Sequence, residues 1–172
     1  LGLVINQVIN TYFTNFVIIA VPLFIFTANV MNSGKVTDMI FKFADGLCGG
    51  MRGALGHVNV LASLIFAGMT GSAIADAAGL GKIEIEAMND SGFDPAFSCA
   101  VTSASATIGP IFPPSIPLVI YAMLSGTSVG ALFLGGMIPA VLLTIFLMIY
   151  IAIVSHKRNY PKGERVGLRV FL

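Results

Sequence analysis

The stretch Thr107-Ile108-Gly109-Pro110-Ile111-Phe112-Pro113-Pro114-Ser115-Ile116-Pro117 carries four prolines within eight residues, inside a run from Pro95 to Ser155 that has no Lys, Arg, His, Asp or Glu. A proline in a helix interior removes the hydrogen bond to the carbonyl four residues back and clashes with it. Pro110 thus frees the Ala106 carbonyl, Pro113 frees Gly109, Pro114 frees Pro110 and Pro117 frees Pro113. At about 3 kcal/mol for each interior proline, no continuous helix survives. A carbonyl bared in hydrocarbon costs several kcal/mol more unless something satisfies it. With Ser103, Ser105, Thr107 and Ser115 nearby, the freed carbonyls form a set of hard oxygen ligands. Discontinuous helices of this kind, near the membrane midplane, are what Na⁺-coupled secondary transporters use. The alternative is a passive kink satisfied by neighbours and water, which is the reading for the isolated Pro22 and Pro139.

Composition puts that stretch in a membrane. The chain has 172 residues, 56% hydrophobic and 10% charged, against about a quarter charged in soluble domains. A net charge of +1 argues against a nucleic-acid binder, which needs a clear cationic excess. Cys48 and Cys99 sit in no CxxC or Cys/His cluster and read as free thiols, so no transition metal is expected. Nothing from Leu1 to Gly34 is charged, and Gly53 to Ala75 is a further uncharged window. A spanning helix needs about 20 apolar residues. Phe13 to Met31 supplies one; Phe97 to Leu124, broken, and Val129 to Val154 supply two more, joined by Ser125-Gly126-Thr127-Ser128.

The cations set the orientation. Lys35, Lys42, Arg52, Lys82, Lys157, Arg158, Lys162, Arg165 and Arg169 all fall on one side if three segments cross and Gly53–Ala75 does not. A re-entrant segment is therefore expected, with 35–56, 82–94 and 156–172 cytoplasmic. The first apolar run has no basic region ahead of it, the chain lacks an initiator Met, and it ends in a basic linker, so a fragment of a longer polypeptide is expected. The organisation reads as an N-terminal region with the first span (1–34), an amphipathic interfacial helix (35–56), a re-entrant hairpin (57–90), a discontinuous span (91–124), a last span (125–155) and a basic linker (156–172). The interfacial helix shows Val36, Met39, Ile40, Phe43, Leu47 and Met51 on one face and Lys35, Asp38, Lys42 and Asp45 on the other, with Gly49-Gly50 as its stop.

From His57 to Gly81 the sequence is apolar at first, then small and polar. Gly68, Thr70, Gly71, Ser72 and Ala73 predict a tight turn between two arms of about 12 residues, too short to cross. Asp76 is the sole acid there. An intramembrane carboxylate is an ion ligand, a proton carrier or a partner to a cation, unless it is solvated or caps the second arm.

The hairpin Ala67-Gly68-Met69-Thr70-Gly71-Ser72-Ala73-Ile74-Ala75-Asp76-Ala77-Ala78-Gly79-Leu80-Gly81, the run Thr107 to Ser115, the early Val21-Pro22-Leu23-Phe24-Ile25-Phe26 and His57-Val58-Asn59-Val60-Leu61-Ala62-Ser63 resemble the large membrane subunit of TRAP transporters (tripartite ATP-independent periplasmic transporters, DctM-like), at its first structural repeat. The resemblance covers nearly all of the chain. It implies an all-α integral membrane fold with about three spanning helices, one re-entrant hairpin and one broken helix. That would be half of an inverted-repeat elevator transporter in the bacterial inner membrane. It also implies Na⁺ as coupling ion, an organic-acid solute of C4-dicarboxylate or sialic acid type, a small TRAP membrane subunit and a periplasmic solute-binding protein. Carried onto this sequence, Thr70, Gly71, Ser72, Ser103, Thr107, Gly109 and Pro110 are expected at Na⁺. Ser72, Ala73, Pro113, Pro114 and Ser115 are expected at the solute, where helix N-termini favour anions. Asp76 is an ion or proton partner of unassigned role.

An enzyme is not expected. A serine hydrolase would need Ser72 within hydrogen-bond reach of His57 as base, yet fifteen residues of helix set them about 22 Å apart. A Na⁺-coupled divalent-anion symporter working without a binding protein is the alternative carrier, and a channel or assembly subunit the alternative class.

Overall fold

A computed structural model describes residues 2–14, 16–33 and 36–163; Lys35 and the 164–172 part of the basic linker, with Arg165 and Arg169, lie outside the described residues. The described residues form α1 (Gly2–Thr14), α2 (Phe16–Ser33), α3 (Val36–Cys48), α4 (Ala54–Thr70), α5 (Ala73–Asp90), α6 (Pro95–Ala106), α7 (Ile116–Ser125) and α8 (Val129–Lys157). No strand occurs among them beyond an isolated bridge between Arg52 and Lys162. The chain is all-α. By length and composition α8, at mean hydropathy 2.7, is the one described helix long and apolar enough to cross a membrane.

The helix starts follow from local chemistry. Asp94 caps α6, accepting from Ala96 N–H at 3.1 Å, with Pro95 in the first turn. Ser128 caps α8 and Ser115 caps α7. An N-cap side chain satisfies one amide that the helix itself leaves unbonded. Pro117 falls in the first turn of α7, where its missing N–H removes nothing. It therefore bares no carbonyl, and the break is made by Pro110, Pro113 and Pro114 alone.

α4 is the hub, buried on nearly all sides. Val60 and Ala67 pack with Val101, Ile108, Ala140 and Ile151 of α6, the break and α8. Val58, Ala62 and Phe66 pack with Ile40, Ala44 and Cys48 of α3 and with Leu80 of α5. α3 is amphipathic as expected, but its buried line is Thr37, Ile40, Ala44 and Cys48, while Met39, Phe43, Leu47 and Met51 remain exposed. The apolar stripe is wider than the groove α4 offers, so only one edge of it is covered.

The hairpin has arms of 17 and 18 residues rather than about 12. α5 runs on through Gly81, where a Cβ would stand only 2.9 Å from Thr102 of α6, so glycine lets the two helices pack closely.

α8 serves as a ruler. Gly53 is pressed against Ser155 near one end of α8, and Gly136 against the Ile111 carbonyl of the break. Nineteen residues separate Ser155 from Gly136, and seven more reach the start of α8, or about 28 Å and about 10 Å at 1.5 Å per residue. The 156–163 stretch that follows touches both Gly53 and the Phe93–Asp94 turn. Gly53 N–H donates to the Pro161 carbonyl at 3.1 Å, Arg158 pairs with Asp94 at 3.0 Å, and the Tyr160 ring stacks on Phe93 at 4.3 Å.

Candidate functional site

Four helix ends converge where the hairpin turn meets the break. α4 stops at Gly71, left-handed at φ 60°, whose N–H bonds back to the Ala67 carbonyl at 3.1 Å. Ser72 then starts α5, its hydroxyl accepting from Ala75 N–H at 3.3 Å. α6 stops at Ala106, and Ser115 starts α7, accepting from Leu118 N–H at 3.3 Å. Two carbonyl ends and two amide ends therefore face one small region, with partial negative and positive charge respectively.

Contact between the two turns is backbone on backbone. A Cβ on Gly109 would stand 3.0 Å from the Ser72 carbonyl carbon, and one on Gly71 would collide with the Pro114 carbonyl. Glycine at both places lets peptide groups approach without side chains between them.

The carbonyls divide into used and unused. Ala106 O accepts from Gly109 N–H at 3.2 Å, and Pro110 O accepts from the Ser115 hydroxyl. Gly109 O, the carbonyl freed by Pro113, and Pro113 O accept no backbone hydrogen bond among the described residues. The Pro113–Pro114 peptide is cis. Hydroxyls around the turn bond backbone carbonyls as donors: Thr70 to Phe66 O at 3.2 Å and Thr107 to Ala104 O at 2.6 Å. A hydroxyl that donates to the backbone keeps its lone pairs for another partner.

Beside the junction lies a cavity of about 350 Å³ lined by Ile25, Asn29, Thr70, Ser72, Ala75 and Ile116 among others. Both amide ends border it, through Ser72 and Ile116. Asn29, on α2, carries no signal in the sequence that would have drawn it here.

Of the expected residues, Thr70, Gly71, Ser72, Ala73, Gly109, Pro114 and Ser115 are brought to the junction, with Pro110 and Pro113 in the same break. Ser103 of α6 and Thr107 at its C-terminal cap, four residues apart, are exposed. Ser105 turns the other way. It donates to Asn59 Oδ1 at 2.7 Å, and Asn59 Nδ2 donates to Thr102 Oγ1 at 2.7 Å, a polar seam between α4 and α6 that spacing alone did not reveal. Asp76 is 2% exposed with neither oxygen hydrogen-bonded, so it is not solvated, and Ser72 does the capping. His57 lies at the far end of α4, its Nδ1 3.1 Å from the Gly53 carbonyl, well away from Ser72.

A sequence model of the family described as "Tripartite ATP-independent periplasmic transporter, DctM component" matches residues 1–172. The sialic acid TRAP transporter large permease protein SiaM of Vibrio cholerae is 51% identical over 154 residues, covering 88% of this chain and 36% of that protein. The sialic acid TRAP transporter permease protein SiaT of Haemophilus influenzae is 47% identical over 151 residues, 88% of this chain and 24% of that protein. The C4-dicarboxylate TRAP transporter large permease protein DctM of Pseudomonas aeruginosa is 37% identical over 158 residues, 92% of this chain and 37% of that protein. Matches to these curated relatives thus cover only between 24% and 37% of their length.

Proposed function

The chain belongs to the DctM family of tripartite ATP-independent periplasmic transporters, and from that premise we propose that it forms one repeat of a membrane permease that imports an organic acid by Na⁺ symport. The permease works in the bacterial inner membrane with a small membrane subunit and a periplasmic solute-binding protein. Its 35–56, 82–94 and 156–172 segments face the cytoplasm, the side that gathers Lys and Arg. The solute is a sialic acid in preference to a C4-dicarboxylate. The relatives named for sialic acid are 51% and 47% identical, the C4-dicarboxylate relative 37%.

One observation carries the reading: the hairpin turn and the proline break are seated on each other through bare backbone, with the Gly109 and Pro113 carbonyls accepting no backbone hydrogen bond. Leaving such groups dry costs several kcal/mol each. A sodium ion satisfies them. In this proposal it is held by peptide oxygens of Gly71, Gly109 and Pro110 and by the hydroxyls of Thr70, Ser72, Ser103 and Thr107. The amide ends of α5 and α7, at Ser72, Ala73 and Ser115 with Pro113 and Pro114, receive the solute carboxylate. Ser72 sits in both sets, so ion and solute stabilise one another's seat. Hairpin and break then move as one body against the rest of the permease, an elevator.

The test is uptake of sialic acid into proteoliposomes holding the full-length permease and its small subunit, with the binding protein supplied outside. A Na⁺ gradient is expected to drive it, and Thr107→Val or Ser72→Ala should weaken apparent Na⁺ affinity more than solute affinity. Unchanged Na⁺ dependence in both variants removes these hydroxyls from the ion site. Uptake that ignores the binding protein points instead to a stand-alone anion symporter.

A further inference from the structure

Transport at the junction leaves one group of α5 unexplained. The buried stripe of that helix reads Asp76, Leu80, Gly81, Glu84, Met88. Glu84 is 1% exposed, and neither of its oxygens has a hydrogen-bond partner; the same holds for Asp76, at 2%. Glu84 lies between Gly81, which abuts Thr102 of α6, and Met88, whose sulfur is 3.9 Å from Asn59 Nδ2 of α4. A third unsatisfied group completes the cluster. Ser63 of α4 is 1% exposed, and its hydroxyl, which has no other partner, stands beside the Asp76 carboxyl.

No positive charge among the described residues compensates these acids. On α5 itself Lys82, Glu86 and Asp90 are exposed, and Lys82 is 4.0 Å from Glu86. α4 offers His57, engaged at Gly53. α6 offers only the exposed Cys99, with Asp94 at its cap paired to Arg158. α3 presents exposed Asp38 and Lys42, half-buried Asp45 and buried Cys48. None of these bonds to either carboxyl. Two ionised carboxylates buried without a partner would cost far more than a folded chain can bear, so a cation must accompany them.

We propose that Asp76 and Glu84 form a proton-binding site in the interior of the hairpin, with Glu84 holding the proton. The first turn of α5 favours the ionised form at Asp76; Glu84, mid-helix, receives no such help. A metal ion is a poor occupant, because it needs a shell of several oxygens. Asn59 Oδ1, Thr102 Oγ1 and Thr102 O on the facing helices are already engaged by Ser105 and Asn59, and no group of three or more His, Cys, Asp or Glu that could hold a metal occurs among the described residues. A proton needs one oxygen and no shell. The site deepens the reading of Asp76 as an ion or proton partner, and its test does not use transport, so its failure is separate from failure of Na⁺-driven uptake.

The thermal midpoint of the purified full-length permease is measured in detergent from about pH 6 to about pH 9, in choline and in sodium buffers. A folded state that holds a proton the unfolded state has lost is destabilised as pH rises. The wild-type midpoint should therefore fall with rising pH in both salts. Glu84→Gln should flatten that slope. Asp76→Asn should move the fall to lower pH, because the repelling neighbour is gone. A Glu84→Gln curve with the wild-type slope overturns the proposal, as does a Glu84-dependent stabilisation seen only with sodium. Should Glu84→Gln fail to fold, infrared spectra of the wild type decide: a protonated carboxyl C=O band persisting above neutral pH is required, and its absence overturns the site.

Discussion

Gly53 and Gly71 bracket α4, left-handed at φ 67° and 60°, and each is pressed so closely on a neighbour that no side chain fits. At Gly53 the neighbour is the Ser155 side chain. The surroundings are an amide bonded to Pro161 O, an Arg158–Asp94 pair and a stack of Phe93, Phe97 and Tyr160. At Gly71 the neighbour is a backbone carbonyl, and no charged side chain stands between the hairpin turn and the break. The same device thus serves two ends. One fastens α8 to the base of the hairpin with side chains and rings. The other brings peptide groups together and leaves the Gly109 carbonyl without a backbone partner, the opening that the proposed sodium ion fills.

The sharpest way to break this contrast is to load both glycines. Gly71→Ala adds a left-handed penalty of roughly 1–2 kcal/mol and a collision with backbone. Since 1.4 kcal/mol is a tenfold effect, Na⁺-driven uptake should drop at least about tenfold. Wild-type uptake in that variant would show that the turn need not seat on Pro114. Gly53→Ala should lower stability by about 2 kcal/mol, read as a fallen melting temperature, while apparent Na⁺ affinity per folded molecule stays put. A changed Na⁺ affinity there would dissolve the distinction between the two ends. Ser115→Ala removes a cap worth about 1 kcal/mol and the bond to Pro110 O, and it should raise the solute concentration needed for half-maximal uptake. Smallest is Asp94→Asn. The Arg158 pair is half exposed, so about 0.5 kcal/mol or less is expected, measured in denaturant or by melting.

Much of this architecture was legible because its signals are local. Proline chemistry fixed where α6 ends, the uncharged run marked α8, and the Thr70–Ala73 composition marked the turn. What spacing could not give was the partner of each face. Met39, Phe43 and Leu47 have helical periodicity whether or not α4 is wide enough to cover them. Ser105 looked like a candidate ligand of the break, yet the rotation of α6 points it at Asn59. Pro117 looked like a fourth interruption, and only the position of the Ser115 cap shows that it falls in a first turn. Glu84 sits among Lys82, Glu86 and Asp90 in a stretch that reads as a solvated face. Its burial depends on α6 returning alongside α5, which no short-range pattern announces.

The unequal distances measured along α8 have an electrical meaning. In the proposed Na⁺ symport, a cation reaching the junction from the uncharged end would have passed only about a quarter of that helix. Of the roughly 2.3 kcal/mol that a potential of about 100 mV gives each charge, about a quarter is therefore released on arrival. The remainder would fall across the longer leg toward the end that holds Arg158, so in that proposal voltage acts mainly on the step after loading.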